Sequence, residues 1–179
     1  MASEPPAPGS LPLAVGLLRS VGSFLLRVPR RLGFLPPLLW AGLIFAASSR
    51  TLPDIGVRGP VPSTVENLGH AVEYGILAAL LALSAPRRDG WVVLDRRTVV
   101  LILGLCALYA ASDEWHQSFV PHRDATPYDV LTDGVGAAAT LACIDALGKL
   151  SDVRRTFSLR FAIGLLASLA AAILATSEP

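Results

Sequence analysis

Five apolar segments separated by short charged stretches constrain the fold of this chain most strongly. Each has close to the roughly 20 residues that a helix needs to cross a bilayer. Hydrophobic residues make up 53% of the 179 residues and charged residues only 16%, which is unlike a soluble domain of this length. The sequence therefore predicts an all-α, polytopic transmembrane helical bundle of about five spans. The spans lie at about 34–49, 65–85, 98–118, 128–147 and 158–176.

The N-terminal part of the chain lacks an apolar stretch long enough to span a membrane. Residues 1–10 are rich in proline and are expected to be disordered. From Leu11 to Arg31, arginines interrupt short apolar runs, which predicts a basic amphipathic helix on the membrane surface; a poorly ordered tail is the alternative. The predicted units are this N-terminal segment (1–31), a four-span core (32–149) and a basic loop with the fifth span (150–179).

Basic residues alternate between loops in a way that predicts the orientation. All but three of the 15 Lys and Arg residues lie before span one, or in and beside the loops that join spans two and three and spans four and five. The three exceptions, Arg50, Arg58 and Arg123, fall in the other two loops. Because cytoplasmic loops carry an excess of Lys and Arg, the N-terminus is predicted to be cytoplasmic and the C-terminus outside.

Ionisable residues gather at the four helix ends that this orientation places outside. Such groups are costly within a membrane and commonly mark functional sites. Residues 113–133 alone contain four Asp, one Glu, two His and one Arg. Helical spacing places the polar residues of spans two and three on one face of each helix. These faces are Glu66, His70, Glu73 and Tyr74 in span two, and Tyr109, Asp113, His116 and Gln117 in span three.

Span four begins with two acids that differ in depth. Asp129 lies in the first turn, where the helix macrodipole favours an acid, so it could act only as a cap. Asp133 lies one turn deeper, which capping does not explain. Buried charges need partners, and Arg123 is the only cation in the loop between spans three and four. We expect Arg123 to pair with one or more of Asp113, Glu114, Asp129 and Asp133.

Structural roles stay open for other residues of this set. Glu66 follows Ser63 at the spacing of a capping box. Tyr74 fits an interfacial aromatic belt, and His70 alone could be a satisfied interfacial histidine. The convergence of acids, imidazoles and an arginine from three helices nevertheless favours a functional pocket over a structural polar lock.

Three sequence elements resemble the pattern of the VanZ-like family, small polytopic membrane proteins named for a protein associated with teicoplanin resistance. The elements are Glu66–Leu77, Asp113–Arg123 and Asp129–Gly136, and the resemblance covers roughly residues 36–148. It implies a bacterial envelope protein of the inner membrane, and it implies no defined reaction.

The chain departs from the family pattern at three positions of this region. Asn67 stands where the family usually has lysine, and His122 stands where glycine is usual. Asp133 replaces the usual asparagine. These departures imply a more acidic site and a different ligand preference.

Binding at the outward pocket is the favoured function. The ligand would be a polar lipid headgroup, a lipid-linked wall precursor or an amphiphilic antibiotic, and glycopeptide tolerance would be one consequence. Arg123 and the imidazoles would supply charge-assisted hydrogen bonds to phosphate or carboxylate. The predicted ligand-binding residues are Glu66, His70, Tyr74, Asp113, Glu114, Gln117, Arg123, Asp129 and Asp133.

The alternative is an intramembrane enzyme that acts on a lipid headgroup or phosphate. His70 or His116 would be the general base, oriented by Asp113 or Glu114. The two serines at 48–49, where span one ends, are candidate nucleophiles. A proton-coupled carrier ranks below both functions, because the middle of the spans carries no ionisable relay.

The sequence predicts no cofactor and no metal site. Its His and acidic residues lack a metal-site spacing such as HExxH. Cys106 and Cys143 lie within apolar segments and are expected to be small packing residues. A net charge of +1 provides no basic field for nucleic acid. The expected partners are therefore the bilayer and a lipid headgroup or wall precursor.

Overall fold

The computed structural model describes residues 13–50, 60–121, 127–149 and 153–177. These residues form six α-helices, two single turns of 3₁₀ helix and one short β-hairpin. The helices are α1 (Leu13–Leu25), α2 (Leu35–Ser48), α3 (Pro60–Leu81), α4 (Arg96–Gln117), α5 (Pro127–Gly148) and α6 (Val153–Ser177). The 3₁₀ turns are Arg30–Leu32 and Ala82–Ser84, and the strands are β1 (Arg87–Arg88) and β2 (Trp91–Val92).

Five helical segments of the described chain are long and apolar enough to cross a membrane, which confirms the predicted all-α polytopic fold. The segments are Arg30–Ser48, Asn67–Ser84, Arg96–Gln117, Pro127–Gly148 and Val153–Thr176. Large apolar side chains such as Leu39, Leu108 and Leu166 are exposed on their outer faces, as a helix surrounded by lipid tails requires.

Helix α3 begins earlier than the sequence pattern suggested. Pro60 opens the helix, and proline is tolerated there because the first N–H groups of a helix have no partner within it. Ser63 therefore lies inside the helix instead of at the N-cap position. The capping-box interpretation of Glu66 does not hold for this helix start. Helix α5 also begins with proline, at Pro127, a residue that is common at the first helical position.

Helix α5 is the centre of the bundle and packs against α3, α4 and α6. Small residues allow the closest approaches. A Cβ atom added at Gly136 would lie 2.1 Å from the Ala71 carbonyl oxygen on α3. A Cβ atom at Gly164 of α6 would lie 2.6 Å from the Ala139 side chain on α5. Glycine at these two positions lets the backbones pack at distances that other residues forbid.

The core lies between α2, α3, α4 and α5. Tyr74 and Ala110 are fully buried there, and Leu141 packs beside them. Cys106 belongs to the same cluster and Cys143 is half-buried; both are free thiols. The packing role expected for Cys106 therefore agrees with its position.

Helix α1 lies within the segment for which the sequence predicts an amphipathic surface helix, and it packs against the C-terminal ends of α3 and α5; residues 1–10 fall outside the described residues. Val15 of α1 packs with Trp91 and Leu147. The hairpin that carries Trp91 turns at Asp89 and Gly90, whose φ angles are 51° and 75°. An Asp-Gly pair is the usual signal for such a two-residue turn. The pattern of apolar spans alone does not predict this hairpin.

Helix α4 starts at a side-chain cap. The Asp95 carboxylate accepts a hydrogen bond of 2.8 Å from the Thr98 backbone N–H. This bond stabilises the charged form and lowers the pKa of Asp95. The cap determines where the chain leaves the hairpin and enters α4.

Candidate functional site

One end of the bundle gathers most of the buried polar side chains. They come from the C-terminal ends of α2 and α4 and the N-terminal parts of α3 and α5, which the up-and-down connection places together. Their relative exposures are 9% or less: Ser48, Asp113, Glu114, Gln117, Asp129, Thr132 and Asp133. We call this set, with His70 and Tyr74 of α3 and His116 of α4, the polar site.

Asp113 is held by two side-chain donors. The Ser48 hydroxyl donates to its Oδ1 at 2.6 Å, and the Gln117 amide donates to its Oδ2 at 2.9 Å. Both carboxylate oxygens are therefore occupied, and the Ser48 bond joins α2 to α4. This arrangement gives Ser48 a donor's role, which differs from the nucleophile considered from the sequence.

His116 pairs with a serine. Its Nε2 lies 3.0 Å from the Ser49 Oγ, and its ring is tilted by 32° relative to the ring of Phe45, with 4.5 Å between the ring centroids. Ser49 also donates to the Phe45 carbonyl at 2.6 Å. A hydroxyl has a single proton, so which of Ser49 and His116 donates in this pair depends on the His116 tautomer. Asp113, which the sequence suggested as an orienting acid, makes its hydrogen bonds with Ser48 and Gln117.

His70 and Asp133 face each other across the contact between α3 and α5. The His70 Nδ1 lies 3.7 Å from the Asp133 Oδ1, which is too long for a hydrogen bond. The His70 side chain is 14% exposed and that of Asp133 is 2% exposed. Both atoms are buried and lack a hydrogen-bond partner among the described residues. The pair is therefore close enough for charge attraction but leaves hydrogen-bonding capacity unused.

Tyr74 adds a third unsatisfied group one turn along α3 from His70. The residue is 0% exposed, and its hydroxyl finds no partner within the described part of the chain. Leaving a buried polar atom unpaired costs about 1–3 kcal/mol, and such atoms are rare in folded proteins. Tyr74 and Tyr109 are neighbours, with ring centroids 6.1 Å apart, but the Tyr109 hydroxyl donates to the Ala41 carbonyl at 2.5 Å.

The polar site is acidic. Glu114, Asp129, Asp113 and Glu73 all lie within electrostatic range of Asp133. Glu73 is half-buried, and its carbonyl oxygen accepts a bond of 2.9 Å from the indole of Trp40. Such an arrangement attracts hydrogen-bond donors and positive charge to the space beside Asp133.

Most of the predicted site residues do converge at this end of the bundle. Two of the predicted site positions cannot be placed: Arg123 lies outside the described residues, as does the side chain of Glu66. The expected pairing of Arg123 with the acids stays a prediction. Thr132, which the sequence analysis missed, is fully buried and donates to the Tyr128 carbonyl at 3.1 Å; no charge or motif marks it in the sequence.

Metal ligation is not suggested by the geometry of the described residues. No group of three His, Cys, Asp or Glu side chains in those segments is arranged to hold a metal ion. The arrangement can form hydrogen bonds and attract charge at three unsatisfied atoms: the His70 Nδ1, the Asp133 Oδ1 and the Tyr74 hydroxyl oxygen.

Comparison with known proteins places the chain in a family. A family model described as VanZ/LLP1 matches residues 39–148, which extend from α2 to the end of α5 and include the whole polar site. No curated protein and no solved structure matches the chain significantly. The matched segment is more than half of the 179 residues. The chain is a multi-pass helical membrane protein, and it belongs to the VanZ/LLP1 family.

Proposed function

We propose that this protein binds the polar head of an amphiphile at the polar site, on the outer face of a bacterial inner membrane. The amphiphile is a membrane lipid, a lipid-linked wall precursor or an amphiphilic antibiotic, and sequestering it would contribute to envelope maintenance or glycopeptide tolerance. The uneven distribution of basic residues supports a cytoplasmic N-terminus, an exterior C-terminus and an outward-facing polar site.

A single observation carries this proposal. The His70 Nδ1, the Asp133 Oδ1 and the Tyr74 hydroxyl are buried on neighbouring turns of α3 and α5 without hydrogen-bond partners among the described residues. A purely structural polar lock would have these atoms satisfy one another, as Asp113 does with Ser48 and Gln117. A headgroup that offers both donors and acceptors, such as a hydroxyl or amide group, would complete them.

The surroundings of the polar site suit a ligand that is half polar and half apolar. Trp115 and Phe119 project from the end of α4 beside Glu114 and His116, and they are 71% and 70% exposed. Their rings pack edge to face with centroids 5.5 Å apart. Exposed aromatic side chains at the end of a span sit well at the lipid interface, where they would contact the apolar part of the ligand.

An enzyme that acts on a lipid headgroup or phosphate is the second candidate, and the contact between Ser49 and His116 favours it. A serine within hydrogen-bond distance of a histidine is the arrangement of an activated nucleophile. However, the Ser49 proton is directed to the Phe45 carbonyl, so activation would require a change of hydrogen bonds. Binding needs no such change and is therefore the better supported function.

Co-purification tests the binding function. The wild type and an Asp133→Asn/Arg123→Ala variant are purified in the same mild detergent, and bound lipids and wall precursors are identified by mass spectrometry. We expect an amphiphile with the wild type and its loss from the variant. The control is Asp89→Asn/Arg88→Ala, which makes the same charge changes at exposed hairpin positions. Equal ligand content in all three proteins would refute the proposal.

A milder variant separates binding from folding. Tyr74→Phe removes only a hydroxyl that has no partner in the described structure, so the helical content and the abundance of the protein should not fall. We expect less co-purified ligand. Release of phosphate or of a headgroup from the bound lipid over time, abolished by Ser49→Ala, would favour the enzyme instead.

A further inference from the structure

A cavity of about 190 Å³ lies at the other end of the bundle, between α1, the hairpin and the C-terminal ends of α3 and α5. All twelve residues that line it are apolar or glycine. Its walls include Val21, Leu25, Ala79, Leu83, Trp91 and Leu147. An apolar cavity of this size holds water poorly but accepts an apolar molecule. It has no place in the binding function proposed for the polar site.

Hydrogen bonds hold the walls of this cavity in place. The Arg87 guanidinium donates to the carbonyl oxygens of Leu26 at 2.6 Å, Val28 at 3.1 Å and Leu83 at 2.7 Å. The Trp91 indole donates to the Ile144 carbonyl at 3.0 Å. The segment after α1 is thus attached to α3, and the hairpin is attached to α5. These contacts prevent α1 from simply moving inward to fill the space.

Arginines surround the cavity. Arg19 donates to the Leu147 carbonyl and places its guanidinium 5.4 Å from the centre of the Trp91 ring. Arg30 donates to the Ser84 carbonyl at 2.8 Å, directly after the lining residue Leu83. Arg27 directly follows the lining residue Leu26 and is exposed. Together with Arg87, these side chains give the rim of the cavity a positive charge.

One of these arginines retains a free donor. The Nε of Arg87 is buried and has no hydrogen-bond acceptor within the described chain. In α1 and the hairpin, the only acid is Asp89, at the hairpin tip. Asp145 follows the lining residue Ile144 on α5, and it is already paired with Lys149 and Arg160. Arginine clusters at a membrane surface attract anionic lipid headgroups, and guanidinium groups suit phosphate oxygens.

We propose that this cavity holds an acyl chain of an anionic phospholipid, whose phosphate binds the arginines at the rim. The apolar walls select a hydrocarbon chain, and the positive rim selects a negative headgroup over a zwitterionic one. The lipid would fill the space beneath α1 and secure this amphipathic helix to the bundle. This second lipid site is independent of the polar site, from which it is separated by the length of α3 and α5.

Quenching of Trp91 tests the proposal. A full-length Trp40→Phe/Trp115→Phe variant keeps Trp91 as its only tryptophan. It is reconstituted in phosphatidylcholine vesicles that contain a minor fraction of either phosphatidylglycerol or phosphatidylcholine with brominated acyl chains, which quench a tryptophan they touch. We expect the brominated phosphatidylglycerol to quench Trp91 at much lower mole fraction than the brominated phosphatidylcholine.

Two variants assign this preference to the cavity and its rim. Ala79→Phe fills the cavity with a side chain and should abolish the preference. Arg27→Gln/Arg30→Gln should weaken it on the order of fivefold per arginine removed. The matched control is Arg154→Gln/Arg155→Gln, which removes two exposed arginines from the start of α6, where no residue lines the cavity; it should leave the preference intact.

Three results would overturn the proposal. Equal quenching by the two brominated lipids would show that the site does not select an anionic headgroup. If the brominated lipid still quenches Trp91 in the Ala79→Phe variant, the acyl chain contacts Trp91 outside the cavity. If full-length protein shows no quenching while a chain that lacks residues 1–12 does, the N-terminal residues occupy the cavity in place of a lipid.

Discussion

The two ends of the bundle treat their charged residues in opposite ways. At the end near α1, Arg19, Arg30 and Arg87 donate to backbone carbonyls. On α5 at the same end, Asp145 accepts from Lys149 at 2.7 Å and from Arg160 at 2.6 Å. Charges there are used to join helices and connecting segments.

The polar site leaves more of its polar atoms unsatisfied. Asp113 bonds through both oxygens, whereas the facing atoms of His70 and Asp133 and the Tyr74 hydroxyl lack partners among the described residues. At the end near α1, the Arg87 Nε is the one buried atom of this kind in the described chain. Long arginine side chains can reach carbonyl groups from many positions, but short buried acids and a ring hydroxyl cannot. Arginines near α1 therefore satisfy most of their donors within the fold, whereas the polar site leaves three buried atoms of three different side chains unpaired.

The largest effect is expected from a substitution that disrupts the contact between α3 and α5 beneath the polar site. Gly136→Leu would force a side chain into the Ala71 backbone, where even a Cβ atom would lie at 2.1 Å. We expect a loss of about 3 kcal/mol or more in the free energy of unfolding, since overpacking a tight contact costs about 1–3 kcal/mol even when the neighbours can shift. Thermal unfolding in detergent measures the loss.

The control for this substitution lies two residues away. A Cβ atom at Gly134 would meet nothing within 4 Å, so Gly134→Ala should be neutral or slightly stabilising. Helix propensity alone would make both Gly134→Ala and Gly136→Ala stabilising, so equal destabilisation by the two would show that the close approach of α3 and α5 at Gly136 is not the cause.

A second prediction tests the structural role of the end near α1. Arg87→Gln should lower the free energy of unfolding by about 1.5–3 kcal/mol and detach the chain after α1, because hydrogen bonds from a charged donor contribute about that much. Arg87→Lys keeps the charge but loses the fork geometry, so it should rescue little. Cross-linking between cysteines introduced at positions 25 and 83 reports the detachment; full rescue by Lys would mean that charge alone matters.

A third prediction separates the two buried aspartates of the polar site. Asp113→Ala leaves the Ser48 and Gln117 donors unpaired and should destabilise the protein by about 1–3 kcal/mol. Asp133→Asn removes no hydrogen bond at Oδ1, so it should leave stability nearly unchanged and reduce ligand binding instead. Unfolding curves and co-purified ligand are measured on both variants. A reversed order of stabilities would contradict the division between structural and binding acids.

The smallest expected effect concerns the cap of α4. The Thr98 N–H lowers the pKa of Asp95 in the folded state, so its contribution to stability is present above the unfolded pKa of about 3.9 and is lost as pH falls through the folded value. Asp95→Asn should therefore flatten the pH dependence of unfolding below about pH 4. Asp89→Asn in the neighbouring hairpin is the control, and an equal flattening there would exclude the cap as the cause.

Much of the architecture could be predicted from the sequence, because hydrophobicity and helical spacing act over neighbouring residues. The spans and the α5 start at Pro127 are of this kind. The start of α3 could not be placed correctly, since Ser63 and Glu66 have the spacing of a capping box but lie inside the helix. A capping-box spacing is compatible with a helix start, but it does not determine the residue at which the helix begins.

The polar site could be predicted as a set of residues but not as a set of contacts. Spacing placed Asp113, His116 and Gln117 on one face of α4, yet it could not show that Asp113 bonds to Ser48, 65 residues away, and that His116 bonds to Ser49. The hydrogen-bond partner of each side chain depends on which helices are in contact and at what depth in the membrane. The sequence of a single helix does not contain this information.

By itself, the sequence determined that this protein is a five-span member of its family with acids concentrated at one end of the bundle. Only the tertiary structure decided which hydrogen bonds these acids make, such as those of Asp113, and that the Asp133 Oδ1 has no partner among the described residues. The physical reason is range: burial in lipid and helical periodicity are properties of each segment alone. Hydrogen bonds between helices depend on close approaches such as that of Gly136 to Ala71, which arise only when the whole bundle packs.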